Sequence, residues 1–239
     1  MTGAMLPIAV VIPCFRVRRH IACVLAGLAG RVARVVVVDD ACPESTGRFV
    51  ADSVRDPAIR VVWHAENQGV GGAVLTGYAA ALQEGWPVVV KMDGDGQMDP
   101  AYLAALVAPV LAGHADYAKG NRFFGWRSWR GMPAGRLVGN LTVSMLMKAL
   151  SGYPGLMDPT NGYTAIAAPM LGRLPLDRLE RRWFFECDML FHLSALRATV
   201  RDVPIPALYG EEVSGMGTAV VLRNFPGRLV LRAMERMRG

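Results

Sequence analysis

Short apolar runs alternate with helix-like stretches through the first ninety residues, and this alternation restricts the possible folds more than any other feature. Four runs rich in β-branched residues predict buried strands at residues 8–13, 34–38, 59–63 and 87–92. Between them, the pattern predicts helices over residues 18–30, from the loop at 42–45 through 54, and from 67 to about 83. Strands that alternate with helices indicate βαβ units. The expected fold is therefore α/β, with a mostly parallel central sheet flanked by helices.

The second half of the chain continues the same domain. A helix is expected over residues 136–150, strand-like sequence over 158–166, a second helix over 184–196 and an extended segment over 201–206. The chain has 239 residues, of which 52% are hydrophobic and 19% charged, and no repeat or low-complexity linker divides it. This composition predicts a packed globule rather than a disordered chain. We expect one domain over residues 1–216, followed by a basic amphipathic segment over residues 217–239.

Targeting and redox features predict a cytoplasmic location. No apolar run approaches the roughly 18 residues that a membrane-spanning helix needs, and the first residues do not follow the signal-peptide pattern. The four cysteines are scattered, with no Cys-x-x-Cys pair, so neither disulfides nor a zinc site is expected.

Acidic residues follow two of the predicted strands directly. Asp39 and Asp40 end the second strand, and Asp93 and Asp95 follow the fourth. Ligands of parallel sheets bind beyond the carboxyl ends of the strands. The sequence therefore places a candidate binding site at this edge of the sheet.

The segment Asp-Gly-Asp-Gly-Gln at residues 93–97 has the composition of a metal site. If the segment is extended, Asp93, Asp95 and Gln97 project to one side. Oxygen ligands suit Mg²⁺ or Mn²⁺, which would bridge a diphosphate and stabilise a departing anion. An EF-hand calcium loop is excluded, because Met98 and Ala104 stand where that loop needs glycine and glutamate.

Five short motifs occur in a set order along residues 6–210. They are Ile-Pro-Cys-Phe at 12–15, Val-Asp-Asp at 38–40, Asn-Gln-Gly at 67–69, Met-Asp-Gly-Asp-Gly-Gln at 92–97 and Asp-Pro-Thr-Asn-Gly-Tyr at 158–163. Together they resemble family 2 glycosyltransferases of the GT-A fold, in the branch of dolichyl-phosphate mannose synthase and bacterial polyprenyl-phosphate glycosyltransferases. The resemblance implies an inverting, metal-dependent enzyme that moves a sugar from a nucleotide-sugar donor to a polyprenyl phosphate.

The resemblance also implies roles on the donor side. Residues expected to bind the nucleotide sugar are Pro13, Phe15, Asp40, Asn67, Asp93 and Asp95. Residues expected to hold the metal and diphosphate are Asp93, Asp95 and Gln97. The family usually has a glutamate where this chain has Val17, so the sequence leaves UDP-sugar and GDP-sugar donors both open.

The sequence leaves two interpretations open for each of two residues on the acceptor side. Asp158 matches the family's acceptor-facing acid and is either a general base or a cap, whereas Arg122 either binds phosphate or is a solvated loop residue. We expect Glu186 to face the pocket as a second candidate base and Asp188 to be a cap or ion-pair partner, since residues two apart on a helix do not share a face. A polyprenyl phosphate is already anionic and needs no base, whereas a sugar or small-molecule hydroxyl acceptor needs Asp158 or Glu186.

The chain's positive charge suggests an anionic partner. The net charge is +6 and the segment 122–136 mixes arginines with Trp126 and Trp129. A helix beginning at Pro226 would set an apolar row against arginines and either lie on the inner face of the cell membrane or dock on the domain. The apolar row comprises Val230, Ala233, Met234 and Met237. We expect no nucleic-acid partner, because the basic residues form no continuous run.

A glycine-rich turn leaves an oxidoreductase as a further alternative. Gly69, Gly71 and Gly72 resemble a dinucleotide-binding turn, but Val74 stands where the last glycine of that fingerprint belongs. Hydride transfer also gives no reason for the alternation of acidic residues at 93–97.

Overall fold

A seven-stranded sheet forms the centre of the molecule in the computed structural model, which describes residues 5–124, 134–206 and 218–238. In chain order the strands are β1 (Leu6–Cys14), β2 (Val32–Asp39), β3 (Ile59–Trp63), β4 (Val88–Lys91), β5 (Tyr117–Asn121), β6 (Thr164–Ala167) and β7 (Val200–Pro204). Their order across the sheet is β3-β2-β1-β4-β6-β5-β7. All neighbours run parallel except β6, which is antiparallel to both β4 and β5. The expected mostly parallel α/β sheet is confirmed.

Helices cover both faces of this sheet. They are α1 (Arg18–Leu28), α2 (Thr46–Ser53), α3 (Gly69–Gln83), α4 (Leu103–Leu111), α5 (Ala134–Leu150), α6 (Ala168–Leu171), α7 (Phe185–Ala195) and α8 (Thr218–Arg238). One core cluster contains side chains from α1, α2 and α4, and the other contains side chains from α3, α5, α7 and α8. Alternate residues of β1 enter the two clusters, with Val10 on one face and Val11 on the other. A strand buried on both faces in this way reads as a continuous apolar run.

The register of the parallel strands brings the acidic residues to one edge. Cys14 at the end of β1 pairs with Asp39 at the end of β2, and Val11 pairs with Lys91 at the end of β4. The segments after β1, β2 and β4 therefore leave the sheet at the same edge.

The hydrophobic patterns of the sequence do not predict two of the elements, α4 and β5. Helix α4 is apolar on nearly every residue and contains Pro109, so it shows no amphipathic period. Strand β5 carries Lys119 and Asn121, both buried, and these polar residues interrupt the apolar pattern of a strand.

Two predicted elements have different bounds from those expected. The strand expected over residues 158–166 is confined to Thr164–Ala167, because residues 158–163 form a loop whose backbone turns at Asp158. The C-terminal helix begins at Thr218 rather than Pro226, so Pro226 lies inside α8.

Helix α8 packs on the domain. Phe225, Leu229 and Ala233 are buried against the core, and the rings of Phe225 and Phe184 meet edge to face at 5.2 Å. Of the apolar row expected on one face, Ala233 is buried, Val230 and Met234 are exposed, and the side chain of Met237 lies outside the described residues. Among the helices described, none combines the length and apolar character needed to cross a bilayer.

Candidate active site

A cavity of about 780 Å³ opens at the carboxyl ends of β1 and β4. A volume of this size suits a small-molecule ligand or cofactor. Most of the residues expected at the site line this cavity, namely Pro13, Phe15, Asp40, Asn67, Asp93, Asp95, Gln97, Arg122 and Glu186. Asp158 is fully buried and does not line it. Residues from the sequence's two halves therefore meet in one place.

The acidic segment forms a turn rather than the extended strand that the sequence suggested. Gly96 has a φ of 82°, which favours glycine, and the Asp95 carboxylate accepts a hydrogen bond from the Gln97 backbone N–H at 3.0 Å. The side chains of Asp93, Asp95 and Gln97 nevertheless line the same cavity, because the turn folds across the end of β4.

The chemistry of these oxygen donors fits a hard divalent cation. Within the described ranges, no group of three or more His, Cys, Asp or Glu side chains is placed to hold a metal ion. With the carboxylates of Asp93 and Asp95 alone, the other ligands of Mg²⁺ would have to be water and substrate phosphate.

Lys91 ends β4 directly beneath the turn and was not among the expected site residues. Its side chain is only 1% exposed, and Nζ lies 2.7 Å from Asp93 Oδ1 and 2.9 Å from Glu186 Oε1. Burial would lower the pKa of Lys91, but the two carboxylates outweigh burial and raise it above its ordinary value. The ammonium is therefore charged. A lysine inside the otherwise apolar strand Val88–Lys91 is the signal that could have identified it.

A second buried lysine lies on β5. Lys119 is fully buried and donates a hydrogen bond to the backbone carbonyl of Asn161. Burial lowers the pKa of Lys119 to about 8, although Glu186 and Asp158 oppose that shift.

Asp40 holds the turn that precedes α3. Its carboxylate accepts hydrogen bonds from the backbone N–H groups of Gln68 at 2.8 Å and Gly69 at 2.9 Å, and it lies 2.7 Å from His64 Nδ1. Asp40 thus lines the cavity while it fixes the position of Asn67, which donates to the Asp40 carbonyl at 3.2 Å.

The glycines of that turn are explained by packing. A Cβ on Gly69 would lie 2.5 Å from the Arg181 carbonyl oxygen, and one on Gly71 would overlap the Glu180 carbonyl oxygen. The close approach of residues 180–181 therefore accounts for both glycines. A dinucleotide-binding role is not needed to explain them.

Arg122 and Asp158 form a tight ion pair beside the cavity. Arg122 donates to the Asp158 carboxylate from Nε at 2.7 Å, from Nη2 at 2.8 Å and from its backbone N–H at 3.0 Å. Burial alone would raise the pKa of Asp158, but the charge and hydrogen bonds of Arg122 hold it below the ordinary value. Arg122 faces the cavity and Asp158 lies behind it, so the geometry favours a positioning role for Asp158 over the expected general base.

Glu186 and Asp188 lie on different sides of α7. Glu186 lines the cavity, whereas Asp188 is fully buried with its Oδ1 2.6 Å from Arg232 Nε on α8. Burial raises the pKa of Asp188 despite the hydrogen bond from the Glu180 N–H and the charge of Arg232. Asp188 therefore ties α8 to α7. Trp126 and Trp129, from the arginine-rich segment, lie outside the described residues.

The mostly parallel sheet and the acidic turn at the end of β4 agree with the fold that the five motifs predicted. The chain belongs to glycosyl transferase family 2, whose family model matches residues 9–172. The family and the fold expected from the five motifs are confirmed.

Curated relatives match most of the chain. An undecaprenyl-phosphate mannosyltransferase of Micrococcus luteus is 34% identical over 203 residues, which cover 78% of this chain and 79% of the relative. A polyprenol monophosphomannose synthase of Mycolicibacterium smegmatis is 31% identical over 205 residues, which cover 82% of this chain and 75% of the relative.

Solved structures share the fold. Glucosyl-3-phosphoglycerate synthase from Mycobacterium tuberculosis, in complex with phosphoglyceric acid, superposes with a TM-score of 0.65 at 19% identity, covering 98% of this chain and 80% of that one. The same enzyme in complex with Mn²⁺, uridine diphosphate and phosphoglyceric acid gives a TM-score of 0.64.

Proposed function

We propose that this glycosyltransferase moves a sugar from a nucleotide-sugar donor to a polyprenyl phosphate, with the help of a divalent metal ion. The observation that carries this proposal is that each candidate base is already paired with a basic side chain. Asp158 accepts three hydrogen bonds from Arg122, and Glu186 Oε1 lies 2.9 Å from Lys91 Nζ.

The pairing of these carboxylates favours a phosphate acceptor over a hydroxyl acceptor. A hydroxyl acceptor needs a carboxylate that takes up its proton, and an ion pair with a basic side chain makes a carboxylate a weaker base. A phosphate monoester is anionic near neutral pH and attacks without deprotonation. Arg122 and Arg182 line the cavity, and guanidinium groups recognise phosphate oxygens well. The names of the two curated relatives point to the same acceptor class.

The donor's diphosphate would lie at the acidic turn. Asp93, Asp95 and Gln97 are the residues that would hold Mg²⁺ or Mn²⁺, and such an ion supplies positive charge that stabilises the diphosphate as it leaves. The Mn²⁺ and uridine diphosphate in the structural neighbour support this assignment. UDP-sugar and GDP-sugar donors both remain candidates.

The reaction is a direct displacement. An oxygen of the polyprenyl phosphate attacks the anomeric carbon from the face opposite the nucleotide. The new carbon–oxygen bond forms as the bond from the anomeric carbon to the diphosphate oxygen breaks, so the configuration inverts and nucleoside diphosphate is released. Arg122, oriented by Asp158, would hold the attacking phosphate.

A two-stage experiment tests this function. Thermal shifts with UDP-, GDP- and CDP-sugars, each with and without Mn²⁺, identify the donor, because a ligand that binds only the folded state raises its apparent stability. Transfer from that donor is then measured to undecaprenyl phosphate and to a panel of free sugars and glycans. We expect transfer to the lipid phosphate alone; transfer to a hydroxyl with none to the lipid would contradict the proposal.

The same function predicts a cytoplasmic enzyme on the inner face of the membrane. We define the α5–α8 face as the exposed apolar side chains of these two helices, namely Val138, Met145, Val230, Leu231 and Met234. The helices pack together, and a Cβ on Gly152, just after α5, would overlap Arg236 Nη1 near the end of α8. Apolar side chains on a helix rich in arginine suit an anionic bilayer surface, although the half-exposed Arg228 of this helix is already paired with Glu180.

Charge substitutions on this face should weaken membrane binding. We expect a variant carrying Val230→Glu and Met234→Glu to sediment with vesicles containing phosphatidylglycerol at least tenfold less than the unmodified protein, since both apolar burial and charge attraction are lost. Leu111→Glu is the matched control, because Leu111 is 40% exposed on α4, on the opposite face of the sheet. Equal vesicle binding by all three proteins would exclude the α5–α8 face as the contact.

A further inference from the structure

We infer that Glu186 binds the hydroxyl groups of the transferred sugar, and that Lys91 is the positioning residue that holds Glu186 beside Asp93 at the diphosphate end of the site. This inference rests on the proposed nucleotide-sugar donor. It assigns a role to Lys91 and gives Glu186 a function in donor recognition in place of the base role.

The three side chains share one nitrogen. Lys91 Nζ contacts Asp93 Oδ1 and Glu186 Oε1, and the lysine is almost wholly enclosed. The two carboxylates come from the turn after β4 and from the first turn of α7, so Lys91 joins two segments that are distant in sequence. Both carboxylates are held side by side on the cavity wall.

Each carboxylate keeps one oxygen for a ligand. Lys91 engages Oδ1 of Asp93 and Oε1 of Glu186, and no described residue donates a hydrogen bond to Asp93 Oδ2 or Glu186 Oε2. Oε2 of Glu186 can therefore accept hydrogen bonds from hydroxyl groups of the sugar, while Oδ2 of Asp93 is left for the metal ion at the diphosphate end. Hydrogen bonds to charged acceptors are the stronger kind.

Gly162 leaves room above this pair. A Cβ at residue 162 would overlap Lys91 Nζ and lie 2.9 Å from Asp93 Oδ2. Any side chain there would therefore fill the space over Lys91 and Asp93. Gly162 lines the same cavity, so its lack of a side chain opens the wall where the sugar would lie.

The position of the diphosphate puts the sugar beside Glu186. The anomeric carbon is bonded to the diphosphate, which would lie at Asp93 and Asp95. The ring must therefore extend only a few ångströms from the turn, along the wall that Glu186 lines. Glu186 is 12% exposed at its side chain, consistent with a group that is buried except toward the cavity.

Calorimetric titration in the presence of Mn²⁺ separates the sugar's contribution from the nucleotide's. UDP is compared with UDP-glucose and UDP-N-acetylglucosamine, and GDP with GDP-mannose, for the unmodified protein and for Glu186→Gln. We expect Glu186→Gln to bind the nucleoside diphosphate within about twofold of the unmodified protein, but the nucleotide sugar roughly tenfold more weakly. Lys91→Met should weaken the binding of both the nucleoside diphosphate and the nucleotide sugar, because Asp93 loses the ammonium that orients it.

Glu84→Gln is the matched control. Glu84 is also a partly buried, ion-paired glutamate, held by Arg34 and Arg60 just after α3, and it does not line the cavity. The Glu84→Gln variant should bind every ligand with the affinity of the unmodified protein. Melting curves establish that each variant is folded.

The outcomes separate this inference from the proposed function. Unchanged nucleotide-sugar binding by folded Glu186→Gln, with loss of turnover only, would overturn the sugar-binding role and return Glu186 to the acceptor side. If the unmodified protein binds no nucleotide sugar, the proposed donor is wrong, and the inference falls with it. Selective weakening of the nucleotide sugar by Glu186→Gln supports the inference.

Discussion

Replacement of Asp95 by alanine is expected to reduce sugar transfer roughly a thousandfold, because it removes a carboxylate that would hold the metal and so weakens stabilisation of the departing diphosphate. Asp95 lies in the turn after β4 and lines the cavity, and its carboxylate accepts a hydrogen bond from the backbone N–H of Gln97. The measurement is the initial rate of transfer at saturating donor across a titration of Mn²⁺.

A second readout ties this effect to the metal. Mn²⁺ should raise the melting temperature of the unmodified protein with nucleoside diphosphate, and this increment should be lost in Asp95→Ala. Asp52→Ala serves as the control, because Asp52 is an exposed carboxylate on α2 that pairs with Arg48 at the surface. Full activity of the unmodified protein in excess EDTA would show that the metal assignment is wrong.

Asp158→Asn is expected to have the second largest effect, on stability and on activity together. The substitution leaves Arg122 without its charged partner in a buried setting, which costs about 3 kcal/mol of the free energy of unfolding. Transfer should fall about a hundredfold, because Arg122 would no longer be held toward the acceptor phosphate. Urea denaturation and steady-state kinetics with undecaprenyl phosphate measure the two effects.

Comparison with Arg122→Ala distinguishes positioning from base catalysis. If Asp158 acts through Arg122, each single variant should raise the KM for the lipid phosphate, and the double variant should be scarcely worse than either. A base would act independently of Arg122, so additive losses in kcat would contradict the positioning role.

The pH dependence of stability provides a further check on the same pair. The pKa of Asp158 is lowered in the folded state, so its stabilisation is complete above the ordinary carboxyl pKa of about 3.9. The stabilisation is lost as the pH falls through the lower folded pKa. The difference in unfolding free energy between the unmodified protein and Asp158→Asn should therefore stay constant from pH 7 to about pH 5 and shrink only in stronger acid.

Much of the donor side could be predicted from the sequence. Parallel strands of a βαβ fold end at one edge, so residues that directly follow β1, β2 and β4 converge whatever the details of packing. Phe15, Asp40 and Asp93 all line the cavity for this reason. The local backbone was less predictable: the segment expected to be extended is a turn, because Gly96 adopts a positive φ.

The acceptor side depended on contacts that no local pattern encodes. Asp158 lies 36 residues from Arg122, and their pairing decides that the carboxylate is buried while the guanidinium faces the cavity. The helical period of the C-terminal segment identified an amphipathic helix, but tertiary packing turned Arg232 inward to Asp188 and left Val230 exposed.

The sequence by itself determined the family, the α/β sheet and the acidic edge where a metal and diphosphate would bind. These follow from strand-and-helix periodicity and from short motifs whose residues are neighbours in the chain. Only the tertiary structure decided which charges are paired. The sequence shows Lys91 as a charged residue in an apolar strand, but its two carboxylate partners are known only once β4 and α7 are brought together. Burial and distance set the strength of an ion pair, and both are properties of the folded chain.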